Sequence, residues 1–203
     1  MIAALYVQRG GCYWNLPDVD PWDIERDARL YAGPWPVVAH PPCARWCLLA
    51  GLVESRYPHL KRGEDGGCFE AALAAVRAYG GVLEHPAWTR AFDAHGLPYP
   101  PPRGWQRTIC GGWVANVDQG HYGHRARKPT WLYACTDTPP PSLVWGKSED
   151  SAAAVSLGFA DSWRRRAGGE VQQMSKRERA ATPIPFRDLL LSIARSARAE
   201  VTA

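Results

Sequence analysis

The sequence predicts an α/β fold, with a Rossmann-like sheet of mostly parallel strands in a three-layer arrangement. Three observations predict it: short apolar runs, strongly periodic helical segments, and the order strand, loop, helix, glycine pair, strand along the chain. The 19 glycines, 18 prolines and 10 tryptophans exclude a helical bundle and indicate short elements joined by ordered loops.

Local patterns place each element. Strands are predicted at Ile2–Val7, Pro36–His40, Val82–Glu84 and Thr130–Cys135. Apolar residues at three- and four-residue spacing predict helices over Phe69–Tyr79 and Phe186–Ala199. Residues 97–106 and 136–170 are rich in proline and glycine, so we expect loops there, with at most one short helix in 136–170.

Length, cysteines and the N-terminal segment narrow the class of protein. The 203 residues suffice for one core, with an α/β domain over 1–135 and a loop-rich segment over 136–203 whose final helix packs back on it. The six cysteines form no CxxC pair and Met1–Val7 lacks the features of a signal peptide, which predicts a reduced, cytoplasmic protein. No run of about 18 apolar residues is present, so we expect no membrane span.

Positive charge is concentrated in two blocks of the second half of the chain. Residues 99–135 carry five basic residues and one acidic residue, and residues 151–203 carry nine basic and five acidic residues. Two such blocks suit a polyanion bound on one face, although an ordinary solvated surface gives the same pattern.

The segment His40-Pro41-Pro42-Cys43 directly follows the second predicted strand. Ligands of open α/β sheets bind at the carboxyl ends of strands, and the two prolines restrict the orientation of the thiol. A cysteine nucleophile needs such restriction and a cationic neighbourhood, for which His40 and Arg45 are near in sequence. The alternative is a turn with a buried cysteine.

The third predicted strand ends in Leu83-Glu84-His85-Pro86, so we expect Glu84 at the same edge as Cys43. A half-buried carboxyl group has a raised pKa, and Glu84 would then work as an acid or a hydrogen-bond donor. The alternative is a surface glutamate at the end of a strand.

Residues 118–131 combine flexible glycines, aromatic and imidazole rings, and three cations. Contact with phosphates and a base needs these groups, and alternation puts Arg125 and Arg127 on one side of an extended segment. A second basic segment, 174–183, is expected to contact phosphates. A solvated loop and a basic linker are the respective alternatives. The residues predicted to make these contacts are Gln119, His121, Tyr122, His124, Lys128, Arg177 and Arg179.

A zinc site is a further alternative for Cys43. Cys43 and Cys47 are four residues apart, and His40, His85 and Cys68 are available as further ligands. Structural zinc sites use tighter cysteine pairs, so we expect no metal.

Taken in order, these motifs resemble those of DNA cytosine-5 methyltransferases, particularly the reduced forms of phage genomes. A strand-borne Pro-Pro-Cys is followed about forty residues later by Glu-His-Pro, and then by Gln-x-x-Tyr-Gly-His-x-x-Arg-Lys-Pro-Thr. The resemblance covers about residues 36–135, with a weaker match at 174–194.

The resemblance implies that Cys43 attacks C6 of a flipped-out cytosine, that Glu84 contacts the ring at N3, and that the catalytic residues include Arg125 and Arg127. It also implies the cofactor S-adenosylmethionine, and double-stranded DNA as the partner that the residues of the two basic segments bind. About 30 residues separate the first strand from Val37, which allows only an abbreviated cofactor half. The residues assigned to the cofactor are Gly10, Gly11, Asp20 and Pro41.

The sequence leaves two other hypotheses open. The same Cys43 addition serves hydroxymethylation, deamination or another hypermodification of a pyrimidine that does not use S-adenosylmethionine. A DNA-binding protein with this fold and no catalysis is the second. The bias toward Ala, Arg, Gly and Pro fits a high-GC genome, and we expect a phage protein in the bacterial cytoplasm with no obligate protein partner.

Overall fold

The computed structural model describes residues 1–148, 153–154 and 172–197, with one seven-stranded sheet at its centre. The strands of that sheet are β1 (Ile2–Leu5), β2 (Val19–Trp22), β3 (Val37–Ala39), β4 (Gly81–Pro86), β5 (Gln106–Arg107), β6 (Trp113–Asp118) and β7 (Pro129–Cys135). The helices are α1 (Ala50–Arg56), α2 (Cys68–Tyr79), α3 (Arg90–Ala94), α4 (Lys176–Ala180) and α5 (Ile184–Ser196). The remaining elements are the short 3-10 helices Ala28–Leu30 and Gln119–Tyr122 and the paired strands β8 (Ala153–Ala154) and β9 (Gln172–Gln173).

The sheet is mixed, with the strand order β2-β1-β3-β4-β7-β6-β5. Neighbours from β2 to β4 are parallel, whereas the pairs β4–β7, β7–β6 and β6–β5 are antiparallel. The expectation of mostly parallel strands is therefore wrong. The physical reason is the length of a connection. Residues 119–128 join β6 to β7, which is too short for the crossover that parallel neighbours require.

Helices cover both faces of the sheet. On one face Phe69 of α2 packs with Leu5 and Leu83 of the strands, and α3 adds to the same apolar cluster. On the other face Leu190 of α5 packs with Val82 and with the other strand residues whose side chains point to that face. The alternation of strand residues between these two clusters produces three layers, and the C-terminal helix packs on the sheet formed by residues 1–135.

The four predicted strands and both predicted helices are present, with ends shifted by a few residues. The elements that were not predicted include β2, β5, β6, α1, α3 and α4. A glycine is required where β4 begins, because Gly81 has a φ of +118° and a Cβ there would lie 2.0 Å from the carbonyl oxygen of Val37. Much of 136–170, and the predicted helix end at 198–199, lie outside the described residues.

In the part of the chain that the structure describes, no helix combines the length and apolar character needed to cross a membrane.

Candidate active site at the carboxyl edge of the sheet

The strand order changes direction between β1 and β3. From β1 the chain passes outward to β2 and then returns to β3 on the other side of β1, which makes a topological switch point. Ligands of open α/β sheets bind in the crevice beyond the carboxyl ends of the strands at such a point. Residues 40–43 continue from the end of β3 and place Cys43 at this edge.

Glu84 lies on β4 at the same edge. The parallel register pairs Ala39 with Leu83, so the next residues along each strand, His40 and Glu84, are neighbours. His40 Nδ1 lies 2.9 Å from Glu84 Oε2, and the two side chains are only 13% and 12% exposed. Tyr13, in the loop after β1, contacts the other side of the imidazole, with its hydroxyl 2.9 Å from His40 Nε2.

Gln119 reaches Glu84 from the antiparallel half of the sheet. It follows β6, and its amide nitrogen donates to Glu84 Oε1 at 3.2 Å and to Thr130 Oγ1 at 2.9 Å. The structure therefore brings together two residues that the sequence singled out in separate motifs. The edge cluster, as we name it here, consists of Tyr13, His40, Glu84, Gln119 and Thr130.

Asp118 positions the loop that carries Gln119. Its Oδ1 accepts the backbone N–H groups of Gly120 and Lys128 at 3.0 and 2.9 Å, so the carboxylate ties both ends of 119–128. Burial raises the pKa of Asp118, but the backbone hydrogen bonds outweigh it and the pKa is lowered. An ionised Asp118 thus presents Gln119 to Glu84 in a defined position.

The expectation of a raised pKa for Glu84 is wrong. Burial alone would raise the pKa of Glu84, but the hydrogen bond from His40 and the nearby charge of Lys128 outweigh burial and lower it to about 2. Glu84 is therefore an ionised hydrogen-bond acceptor at neutral pH, not a donor.

Lys128 lies between the edge cluster and α4. Its Nζ donates to the carbonyl oxygen of Ala181 at 3.1 Å and, at 3.5 Å, to that of Ala180. Burial lowers the pKa of Lys128, and the nearby Glu84 and Cys43 oppose that shift. The sequence assigned Lys128 to DNA, and the structure places it as a cation near Glu84 and Cys43, two of the four predicted catalytic residues.

Cys43 has a protonated thiol at rest. Burial and the negative charge of Glu84 raise the pKa of Cys43, while the charge of Lys128 lowers it. The residue is partly exposed, as a nucleophile must be to meet a substrate. A thiolate at this position would have the Lys128 ammonium as its nearby counter-charge.

The sequence assigned two arginines to the activated base. Each of them pairs with a carboxylate other than that of Glu84. Arg125 Nη1 lies 2.7 Å from Glu178 Oε1 of α4, and Arg127 Nε lies 3.4 Å from Asp118 Oδ2. Both guanidinium groups are at least 40% exposed. Two further arginines lie on α4 around Glu178. The basic ridge, as we name it here, consists of Arg125, Arg127, Arg177 and Arg179.

The rings predicted to contact DNA tie the loop 119–128 to its surroundings. His121 Nε2 lies 3.3 Å from the carbonyl oxygen of Gly146, and the Tyr122 hydroxyl accepts the backbone N–H of Val144 at 3.0 Å. His124 is buried. These three side chains shape the loop between the edge cluster and the basic ridge.

The residues assigned to S-adenosylmethionine do not form a fitting site. The Asp20 carboxylate, expected at the ribose, accepts hydrogen bonds from Arg26 and Trp22 Nε1. Gly11 lies in a tight turn, in which its N–H donates to the carbonyl oxygen of Gln8 at 2.9 Å. The exposed Gly10 is next to it, and Pro41 is buried.

A separate cleft of about 610 Å³ opens at the start of α2. It is lined by Trp46, residues 63–67, Glu70 and His95, and by none of the residues assigned to the cofactor. Within the described stretches of the chain, no three His, Cys, Asp or Glu side chains come together in a way that could bind a metal ion.

Sequence patterns alone assign no role to Tyr13 and Thr130, and they indicate His40 only as a cation near Cys43 or a zinc ligand. Tyr13 lies thirty residues from Cys43, and no local pattern links the two. A signal for His40 was present: side chains alternate along a strand, so the residue after Ala39 shares a face with Glu84 once β3 and β4 are neighbours.

Comparison with models of protein families, with curated proteins and with solved structures finds no match to this chain.

Proposed function

We propose that this protein modifies a pyrimidine base of double-stranded DNA, in the first place cytosine, by adding Cys43 to C6 of a flipped-out base. The observation that carries the proposal is the convergence of Cys43, Glu84 and Gln119 at one edge of the sheet, next to the switch point. These residues come from three motifs that occur in the same order in DNA cytosine-5 methyltransferases.

The proposed chemistry follows from the electronic structure of the base. Cytosine C5 is a poor nucleophile. When the sulfur of Cys43 bonds to C6, the C5–C6 electron pair moves into the ring, and the proton that leaves the thiol passes through solvent to N3. The adduct then carries an enamine-like C5 that attacks an electrophile. The ionised Glu84 supports this step because it accepts a hydrogen bond from N3–H once that proton is present.

A base inside a duplex is out of reach of Cys43, so it must leave the stack at a cost of a few kcal/mol. The basic ridge supplies sequence-independent contacts with phosphates. Arg125 contacts α4 through Glu178, and Lys128 contacts the end of α4, so the ridge and the edge cluster are adjacent. Phosphates along the ridge would therefore place a base next to Cys43.

The parallel half of the sheet, with its switch point, supports a Rossmann-like, truncated methyltransferase-like fold. Methyl transfer is the simplest outcome of the Cys43 adduct, and S-adenosylmethionine would supply the methyl group. The residues assigned to that cofactor do not fit it. We therefore propose only the addition of Cys43 at C6, and the experiment below tests whether S-adenosylmethionine takes part.

The test is a covalent trap that needs no cofactor. A random-sequence duplex pool with 2-pyrimidinone in place of cytosine is incubated with the protein, with and without S-adenosylmethionine, and resolved on a denaturing gel. The variants are Cys43→Ser and, as a matched control, Cys47→Ser, which removes a second partly buried thiol four residues away.

An adduct formed by the wild type and Cys47→Ser, and lost in Cys43→Ser, supports the proposal. Stimulation by S-adenosylmethionine favours methylation, and indifference favours another modification. The absence of any adduct, or an adduct that survives Cys43→Ser, overturns the proposal; retained DNA binding would then favour a non-catalytic DNA-binding protein.

A further inference from the structure

Glu84 is held by hydrogen bonds to both of its oxygens. His40 Nδ1 lies 2.9 Å from Oε2, and Gln119 Nε2 donates to Oε1 at 3.2 Å. The orientation of the Gln119 amide is set by Thr130, whose hydroxyl accepts from the same nitrogen and donates to the carbonyl oxygen of Lys128 at 3.0 Å. The amide therefore presents N–H to Glu84.

The neighbours of His40 select one tautomer of its ring. The Tyr13 hydroxyl lies 2.9 Å from Nε2 and is buried, and burial raises the pKa of Tyr13 well above its ordinary value. A tyrosine that keeps its proton donates to an unprotonated Nε2. The remaining ring proton is then on Nδ1 and points to Glu84, whereas the opposite tautomer would set a lone pair against the carboxylate.

This chain of hydrogen bonds has a consequence for the base. Each oxygen of an ionised carboxylate has room for a second donor, and the carboxylate itself donates nothing. In the C6 adduct of cytosine, N3–H and the 4-amino group offer two donors side by side. The corresponding uracil adduct offers one donor and a carbonyl oxygen that the carboxylate repels.

We propose that His40, supported by Tyr13, is a positioning residue that fixes Glu84 as an acceptor for two N–H groups, and so makes the site select cytosine over uracil. This inference rests on the function proposed above. His40 acts through Glu84 and does not itself touch the base.

The first experiment measures exchange at C5 without any methyl donor. Addition of Cys43 at C6 lets C5 take up a solvent proton, and loss of the original hydrogen followed by elimination of the thiol regenerates the base. Duplexes with [5-³H]cytosine or [5-³H]uracil at the same positions then release tritium to water, and the ratio of the two rates reports the choice of base.

We expect the wild type to prefer cytosine by at least about 100-fold, because a site built for hydrogen bonds rejects an analogue that leaves its polar groups unpaired. His40→Leu removes the donor to Glu84 and lowers the ratio at least tenfold. His40→Asn returns an N–H near the position of Nδ1 and restores most of it. Tyr13→Phe, which removes one hydroxyl, lowers the ratio less than His40→Leu.

The second experiment needs no activity. Nitrogen-15 NMR of histidine-labelled protein, assigned with His40→Asn, reports the tautomer of His40 directly. A proton on Nδ1 in the wild type, and loss of that preference in Tyr13→Phe, are expected. A proton on Nε2 alone overturns the inference.

The two proposals fail in different ways. If tritium release needs Cys43 but its cytosine preference is unchanged in His40→Leu, the positioning role is wrong and the proposed function stands. If neither base exchanges in the wild type, the proposed function itself is overturned.

Discussion

The edge cluster and the basic ridge both hold charged groups near the carboxyl edge, but they are built in opposite ways. In the edge cluster His40 and Glu84 are nearly buried, and their polar atoms bond one another and their neighbours. On the ridge the Arg125–Glu178 pair is about half exposed. A buried, hydrogen-bonded group keeps one geometry and one ionisation state, whereas an exposed ion pair is screened by salt and easily exchanged.

This difference separates two tasks within one proposed site. A desolvated acceptor such as Glu84 suits recognition of one base at one distance. Exposed arginines suit phosphates, whose positions vary along any duplex. Substitutions in the edge cluster should therefore change the chemistry at nearly constant affinity, and substitutions on the ridge should do the reverse.

The largest expected effect is that of Glu84→Gln. The variant keeps the size of the side chain but loses the negative charge that accepts N3–H, so trapping of 2-pyrimidinone should slow at least about 100-fold. Duplex affinity, measured by fluorescence anisotropy, should stay within about twofold. A tenfold loss of affinity with unchanged trapping would show that Glu84 contributes to DNA binding and that the two regions do not have separate tasks.

Acid should destabilise the protein through buried groups and not through the ridge. Burial lowers the pKa of His85 from 6.5 to about 4, so between these values the unfolded chain binds a proton that the folded one does not. Stability is therefore lost as the pH falls through this window, by up to about 1.4 kcal/mol per pH unit. Glu84 adds a loss in the same direction below pH 4.5, the ordinary pKa of its carboxyl group.

Urea unfolding from pH 7 to pH 4 measures this dependence. His85→Leu should flatten it, because the unfolded chain then has one fewer histidine to protonate. Glu178→Gln, on the ridge, should leave it nearly unchanged because exposed pairs contribute little. Equal slopes in all three proteins would show that His85 does not govern the acid response.

The two regions also differ in what the sequence could reveal. Cys43 follows an apolar run and two prolines, and Glu84 follows an apolar run that Pro86 stops, so the local pattern alone predicts their place at a sheet edge. The ionisation of Glu84 does not follow from that pattern, because burial and hydrogen bonding oppose each other and the outcome depends on His40 and Lys128, which are distant in sequence. The antiparallel half of the sheet could not be predicted from local pattern either, because β6 is recognisable only through its pairing with β7.

The ridge was predicted as a set of cations, but its pairing was not. Arg125 and Arg127 alternate along the chain as expected, yet each meets a different carboxylate, one on α4 and one on Asp118. The capping box of α4, in which Ser175 and Glu178 bond each other's backbone, was present in the sequence as Ser-x-x-Glu and would have identified this short helix.

Neutralising two arginines of the ridge should produce the next largest effect, a change in the affinity for duplex DNA. Replacing Arg177 and Arg179 together by Gln should weaken duplex binding about tenfold at moderate salt. It should also reduce the slope of log affinity against log salt by up to about 2, since each phosphate contact contributes roughly 0.9. Trapping at saturating DNA should not change. An unaltered slope would place the phosphates elsewhere on the protein.

The smallest expected effect comes from removing the carboxylate that pairs with one ridge arginine. Glu178→Gln keeps the capping bond to the Ser175 backbone but removes the carboxylate that pairs with Arg125, so affinity for duplex DNA should rise about two- to threefold. The control is Glu25→Gln, which removes an equal exposed charge paired with Arg9. If both variants gain affinity equally, net charge explains the gain. If only Glu178→Gln gains affinity, Arg125 contacts a phosphate. The ridge of the free protein is then partly neutralised, and DNA phosphates compete with Glu178 for Arg125.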